Sequence, residues 1–108
     1  MARVALISER VELFKRLRSN DPDVRAMAAN SSHTPTRTLL RLLRSDESVD
    51  VRRVAEGTLQ RRSTDLKERA DDAPSTEIRA LLSLRASAID EGIAKAKRVK
   101  QGPMVPTQ

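Results

Sequence analysis

Apolar residues fall three and four apart along most of this chain, and capping or turn-forming residues interrupt them at intervals. Val4, Ile7, Val11, Phe14 and Leu17 predict an amphipathic helix over residues 3 to 18; Leu6 and Leu13 widen its stripe, and Arg10, Lys15, Arg16 and Arg18 lie near its wet side. Asp21 caps a short helix beginning at Pro22, whose missing N–H is harmless at the first helical position. Val24, Met27 and Ala28 form its predicted inner face. Thr34-Pro35 repeats that start signal for a helix running to about Arg44, with Leu39, Leu42 and Leu43 inward. Ser48 opens the next, striped by Val51, Val54, Ala55, Thr58 and Leu59. Gly57 within it costs about 1 kcal/mol against Ala and suits a close helix crossing. Ser63 to Ala73 is rich in charge, and Leu66 and Ala70 supply apolar surface for only a short helix or a helical turn. Pro74-Ser75 resets the chain, and Ile78, Leu81, Leu82, Ile89, Ile93 and Ala96 predict a long amphipathic helix from Thr76 to near Lys100. Residues 101–108 have the composition of a disordered tail.

Part of this pattern recurs. Leu13, Leu17, Arg18 and Ser19 return 26 positions later as Leu39, Leu43, Arg44 and Ser45, whereas Val24, Arg25 and Ala28 return 27 positions later as Val51, Arg52 and Ala55. The slip of one residue fits an extra loop residue in Asp46 to Asp50 compared with Asn20 to Asp23. Units of this size cannot bury an apolar face alone, so they stack. The run Asp21-Pro22-Asp23-Val24-Arg25, Ala28-Ala29-Asn30-Ser31, Thr34-Pro35, Leu39-Leu40, Leu42-Leu43, Asp46 and Asp50-Val51-Arg52-Arg53-Val54-Ala55 resembles the leucine-rich repeat variant, an all-helical family akin to HEAT and armadillo arrays. The resemblance covers about residues 13 to 60. It implies an all-α chain: a short right-handed α-solenoid whose units alternate an α-helix with a short helix. Residues 1–100 would be the repeat domain, with a long helix over about 75–100 as its C-terminal cap. The sequence departs from the family at Ser31 to His33, in place of a proline-containing turn, and at Ser48, in place of a second proline. The iron-sulphur cluster of some members needs cysteines, and this chain has none.

Composition sets bounds on function. The chain has 108 residues, 33% of them charged, which fits one small domain. Phe14 is the only aromatic residue, so stacked-base and aromatic ligand pockets are excluded. No stretch approaches the roughly 20 apolar residues of a membrane span, and Met1 to Val4 opens no signal peptide, so a cytoplasmic location without membrane contact is expected. His33, the one histidine, sits in a turn without catalytic partners, and Asp71 and Asp72 diverge as sequence neighbours do. Neither a phosphate-cradling glycine loop nor a metal-ligand pattern is present, so no enzyme activity, cofactor or metal is expected.

Charge supplies the candidate sites. The net charge is +6, but Lys95, Lys97, Arg98 and Lys100 form a basic C-terminal patch with no acid after Glu91, leaving the rest of the chain near +2. Arg37, Arg41 and Arg44 share one helix and Arg52 and Arg53 the next, with Asp46, Glu47, Asp50 and Glu56 interspersed as prospective partners. Arg25 and Arg52 occupy equivalent places after a buried valine. One reading pairs each with acids of its own turn, Asp21 or Asp23 for Arg25 and Asp46 or Asp50 for Arg52, and has it cap nearby carbonyls. The other has both line a surface groove. The expected function is a protein-interaction module using Arg25, Arg37, Arg41, Arg44, Arg52 and Arg53. The alternative is nucleic-acid association through the arginine face and the lysine-rich helix end. Self-association into a homo-oligomer is compatible with either.

Overall fold

The helical spacing produces five helices among the described residues, α1 (Ala2–Leu17), α2 (Pro22–Ala29), α3 (Thr36–Ser45), α4 (Val49–Asp71) and α5 (Thr76–Gln101), and no strand. This computed structural model describes the backbone of residues 2–101 and the side chains of residues 9–98. The expected tail therefore contributes Gln101 to α5, and residues 102–108 and the side chain of Lys100 lie outside the described residues.

Two of the helix starts follow the sequence signals. The Asp23 N–H donates to the Asp21 carboxylate at 2.9 Å, and the Val51 N–H donates to the Ser48 hydroxyl at 3.3 Å. α3 starts differently. Pro35 occupies its cap position without a side-chain bond, and Thr34, expected to cap it, is buried with its hydroxyl donating to the Ala28 carbonyl. The carbonyls ending a helix need donors, and Thr34 serves the end of α2 rather than the start of α3.

The largest departure from the sequence reading is in α4, which continues unbroken through the segment expected to be a short helix or turn. Ser63, Leu66 and Ala70 are buried there, and residues 63–71 contain no glycine or proline. Side-chain bonds from Lys97 to Glu56, Ser63 to Asp90 and Arg79 to the Ala70 carbonyl fix α4 and α5 as an antiparallel hairpin. A helix poor in apolar residues is thus stabilised by a narrow stripe matched to a long neighbour.

Helix α1 packs on α2, α2 and α3 pack on α4, and α5 packs on α3 and α4. Ala29, Leu39, Val51, Ala55 and Leu59 are fully buried at the centre. Other expected stripe members face outward. Met27 is 69% exposed and Phe14 53%, and Val11, Ile78 and Leu81 are also exposed. Gly57 makes no close crossing: a Cβ there would meet only Arg61 Nη1, at 3.8 Å. The close approach is at Gly92, where a Cβ would lie 3.0 Å from Leu40 Cδ2.

Candidate functional site: a basic groove between α3 and α5

Leu39, Leu42 and Leu43 fix the inward face of α3, and the helical period then places Arg37, Arg41 and Arg44 together on the outward face. Their positions i, i+4 and i+7 span about 10 Å of helix axis. Because Gly92 lacks a side chain, α5 comes close enough to α3 for Lys95, one turn on, to join them. An open groove of about 610 Å³ results, with Leu40, Gly92 and Ala96 among its floor residues and Arg37, Arg41, Arg44 and Lys95 at its rim. No Asp or Glu among the described residues lines it.

Of the four acids expected to neutralise this face, Asp46, Asp50 and Glu56 are engaged elsewhere, whereas Glu47 has no ion pair among the described residues and lines a recess with Arg18, Arg25 and Arg41. Asp46 holds Arg25, Asp50 lies 3.9 Å from Arg53, Glu56 binds Lys97 at 2.9 Å, Asp65 faces Arg69 and Asp90 binds Lys67 at 2.9 Å. Among the described residues, Arg37, Arg41, Arg44 and Lys95 have no ion pair. Ser63 and then Lys67 hold the Asp90 carboxyl below the usual carboxylate range through their hydrogen bonds.

Arg25 and Arg52 have different surroundings from those expected. The Arg25 guanidinium does not pair with Asp21 or Asp23. Its Nε and Nη2 donate side-on to the Asp46 carboxylate at 3.0 and 3.1 Å, and its Nη1 donates to the Ser19 carbonyl at 2.8 Å. The hydrogen bond to Asp46 raises its pKa. Arg52 reaches the backbone of Asp46, its Nη1 donating to that carbonyl at 2.6 Å, while Asp50 faces Arg53. Each arginine therefore donates Nη1 to the carbonyl six residues before it, at the end of the preceding helix. Carbonyl capping was legible in the sequence; the contact from one unit to the next was not, since it depends on how the units pack.

Two further arginines are structural. Arg61 donates to the Asn30 side chain at 2.7 Å, and Arg62 donates to Thr36 Oγ1 and to the Ser31 and Ser32 carbonyls, so both secure the turn between α2 and α3. Burial lowers the pKa of Arg62. Arg53 and Arg98 are exposed and outside the groove lining, and Lys97 is occupied by Glu56. The predicted sites therefore divide. Arg37, Arg41, Arg44 and Lys95 converge, whereas Arg25, Arg52 and Lys97 make internal bonds. The apolar floor was missed; an isolated glycine in a helical pattern was its one available signal.

Elsewhere, His33 lines a recess between α1 and α2 together with Glu9, Arg10, Glu12 and Arg16, whose charges are mixed in sign. No group of three or more metal-ligating side chains forms among the described residues, and no helix there is long and apolar enough to cross a membrane. Comparison with known protein families, curated proteins and solved structures finds no match to this chain.

Proposed function

We propose that this chain is a non-enzymatic helical interaction module that holds an acidic, amphipathic segment of a protein partner in the groove between α3 and α5. The observation that carries this reading is the convergence of Arg37, Arg41, Arg44 and Lys95 on a groove with no acidic lining among the described residues, while Asp46 and Glu56 are paired elsewhere. Uncompensated charge of one sign raises the local concentration of the opposite sign and speeds its docking. The floor supports a protein partner over a nucleic acid. Leu40 and Gly92, both partly exposed, offer apolar contact that an amphipathic segment can cover and a phosphodiester backbone cannot. Phe14, the only aromatic residue, is on α1, away from the groove, so unpaired bases have no stacking platform.

The scaffold we propose is a short right-handed α-solenoid of the leucine-rich repeat variant or HEAT-like kind, with α1–α2 and α3–α4 as its units and α5 as its cap. The same arginine-to-carbonyl bond at the same six-residue offset in both units supports this. A cytoplasmic setting goes with this reading.

The test is a fluorescence anisotropy titration of the purified chain against a labelled oligo-glutamate peptide carrying interspersed leucines, with a labelled DNA duplex in parallel. Tighter binding of the peptide at moderate salt is the expected result. Preference for the duplex, with a steep salt dependence, would move the assignment to nucleic acid.

A further inference from the structure

Arg25 and Arg52 share one anchoring bond, and their guanidinium forks differ beyond it. In the first unit, Arg25 Nη1 holds the Ser19 carbonyl and the opposite edge, Nε with Nη2, is closed by the Asp46 carboxylate. In the second unit, Arg52 Nη1 holds the Asp46 carbonyl in the same way. Its Nε and Nη2 have no acceptor among the described residues, since Asp50 lies against Arg53 and Asp46 is committed to Arg25.

Arg52 is half-buried and anchored at one nitrogen, so its remaining edge is pre-oriented and little side-chain freedom is left to lose on binding. The helix of the chain that packs next in order is α5, and its described residues from Gly92 to Arg98 contain no Asp or Glu to fill the place that Asp46 fills in the first unit. The carbonyl that anchors Arg52 is two residues beyond Arg44, so this open edge lies at the C-terminal end of α3, where the basic groove ends.

We infer that the open edge of Arg52 is a carboxylate socket, which receives an Asp or Glu side chain of the protein partner in the side-on geometry that Asp46 adopts on Arg25. The inference rests on the acidic-partner reading of the groove and adds one directional contact to it. The groove cations attract an acidic segment without fixing its register, whereas a fork that matches one carboxylate with two parallel bonds does fix it. The chain itself shows the complementary shape: Asp46 follows directly on the end of α3, its carboxylate accepting from Arg25 and from the Ser48 N–H. The preferred ligand is therefore an aspartate at a helix end or turn of the partner.

The experiment uses the full chain labelled with ¹⁵N, reading the arginine Nε–H resonances while a blocked oligo-aspartate peptide is added, with a DNA duplex as a second probe. The expected result is a saturable shift of the Arg52 Nε–H signal, with Arg25 unmoved because its edge is already filled. Arg52→Lys keeps the charge and loses the fork, and is expected to bind the peptide on the order of tenfold more weakly with unchanged circular dichroism. A shift confined to Arg37, Arg41 and Arg44, or an Arg52→Lys protein that binds as the wild type does, would overturn the socket and leave the groove reading intact. Tighter engagement of Arg52 by the duplex would overturn the carboxylate assignment. No peptide binding at all to the folded wild type would overturn both the socket and the acidic-partner reading beneath it.

Discussion

At the scale of single residues, polar groups link the helices of this small protein. Thr58 is buried with its hydroxyl 2.8 Å from the Ala29 carbonyl, Thr34 serves the Ala28 carbonyl, and Arg62 spans the α2–α3 turn. No buried side-chain nitrogen or oxygen among the described residues lacks a partner. The Arg25–Asp46 fork is the strongest of these links, because both groups are largely shielded and two charge-assisted bonds run in parallel. Asp46→Ala is expected to lower the melting temperature by on the order of 5 °C, and Asp50→Ala, which removes an exposed pair, to leave it within about 1 °C. Differential scanning calorimetry of the two variants makes the comparison. Asp90 gives a pH-dependent counterpart. Its carboxyl titrates below its ordinary value of 3.8 in the folded chain, so its contribution is complete above that pH and fades as acid protonates it. Asp90→Asn is accordingly expected to melt lower than the wild type at pH 7, and the two curves are expected to converge in strong acid.

At the scale of elements, α4 and α5 hold most of what the sequence left open. Helix starts at Asp21 and Ser48 were readable because a cap acts within one turn. The continuation of α4 through residues 63–71 was not, since Leu66 and Ala70 alone give stripe for only a short helix or a helical turn, and it is α5 that completes the burial. For the same reason the inward faces of α1 and α2 were read too wide: spacing marks Phe14 and Met27 as apolar but does not say which side a neighbour occupies. Ser63→Pro tests the continuity of α4. In a turn it would be tolerated; inside a packed helix it is expected to cost about 3 kcal/mol or more, measured by urea denaturation. Gly92→Leu tests the α3–α5 approach. Its side chain would meet Leu40 where a Cβ alone lies 3.0 Å away, so the helices must part and the groove must reshape. A loss of about 1–3 kcal/mol in stability is expected, together with weaker peptide binding.

At the scale of the whole molecule, the chain is flat, with Cα extents of 50 × 46 × 14 Å and a radius of gyration of 16.2 Å against about 13 Å for a compact chain of this length. A flat stack has a thin core and two broad faces, and the distribution of charge decides what those faces present. The sequence made the basic excess readable, along with the shared face of Arg37, Arg41 and Arg44. It did not reveal which cations the acids would neutralise, because those pairings join positions such as 25 with 46 and 56 with 97. Folding sorts the charges, leaving one groove cationic. The central claim is that this groove is the binding face. The most direct measurement is the affinity of the acidic amphipathic peptide for the wild type and for the triple variant Arg37→Gln, Arg41→Gln and Arg44→Gln, with both melting temperatures recorded. The account expects affinity to fall by at least about a hundredfold, with a shallower salt dependence and an unchanged melting temperature. Equal affinity of the two folded proteins would contradict it.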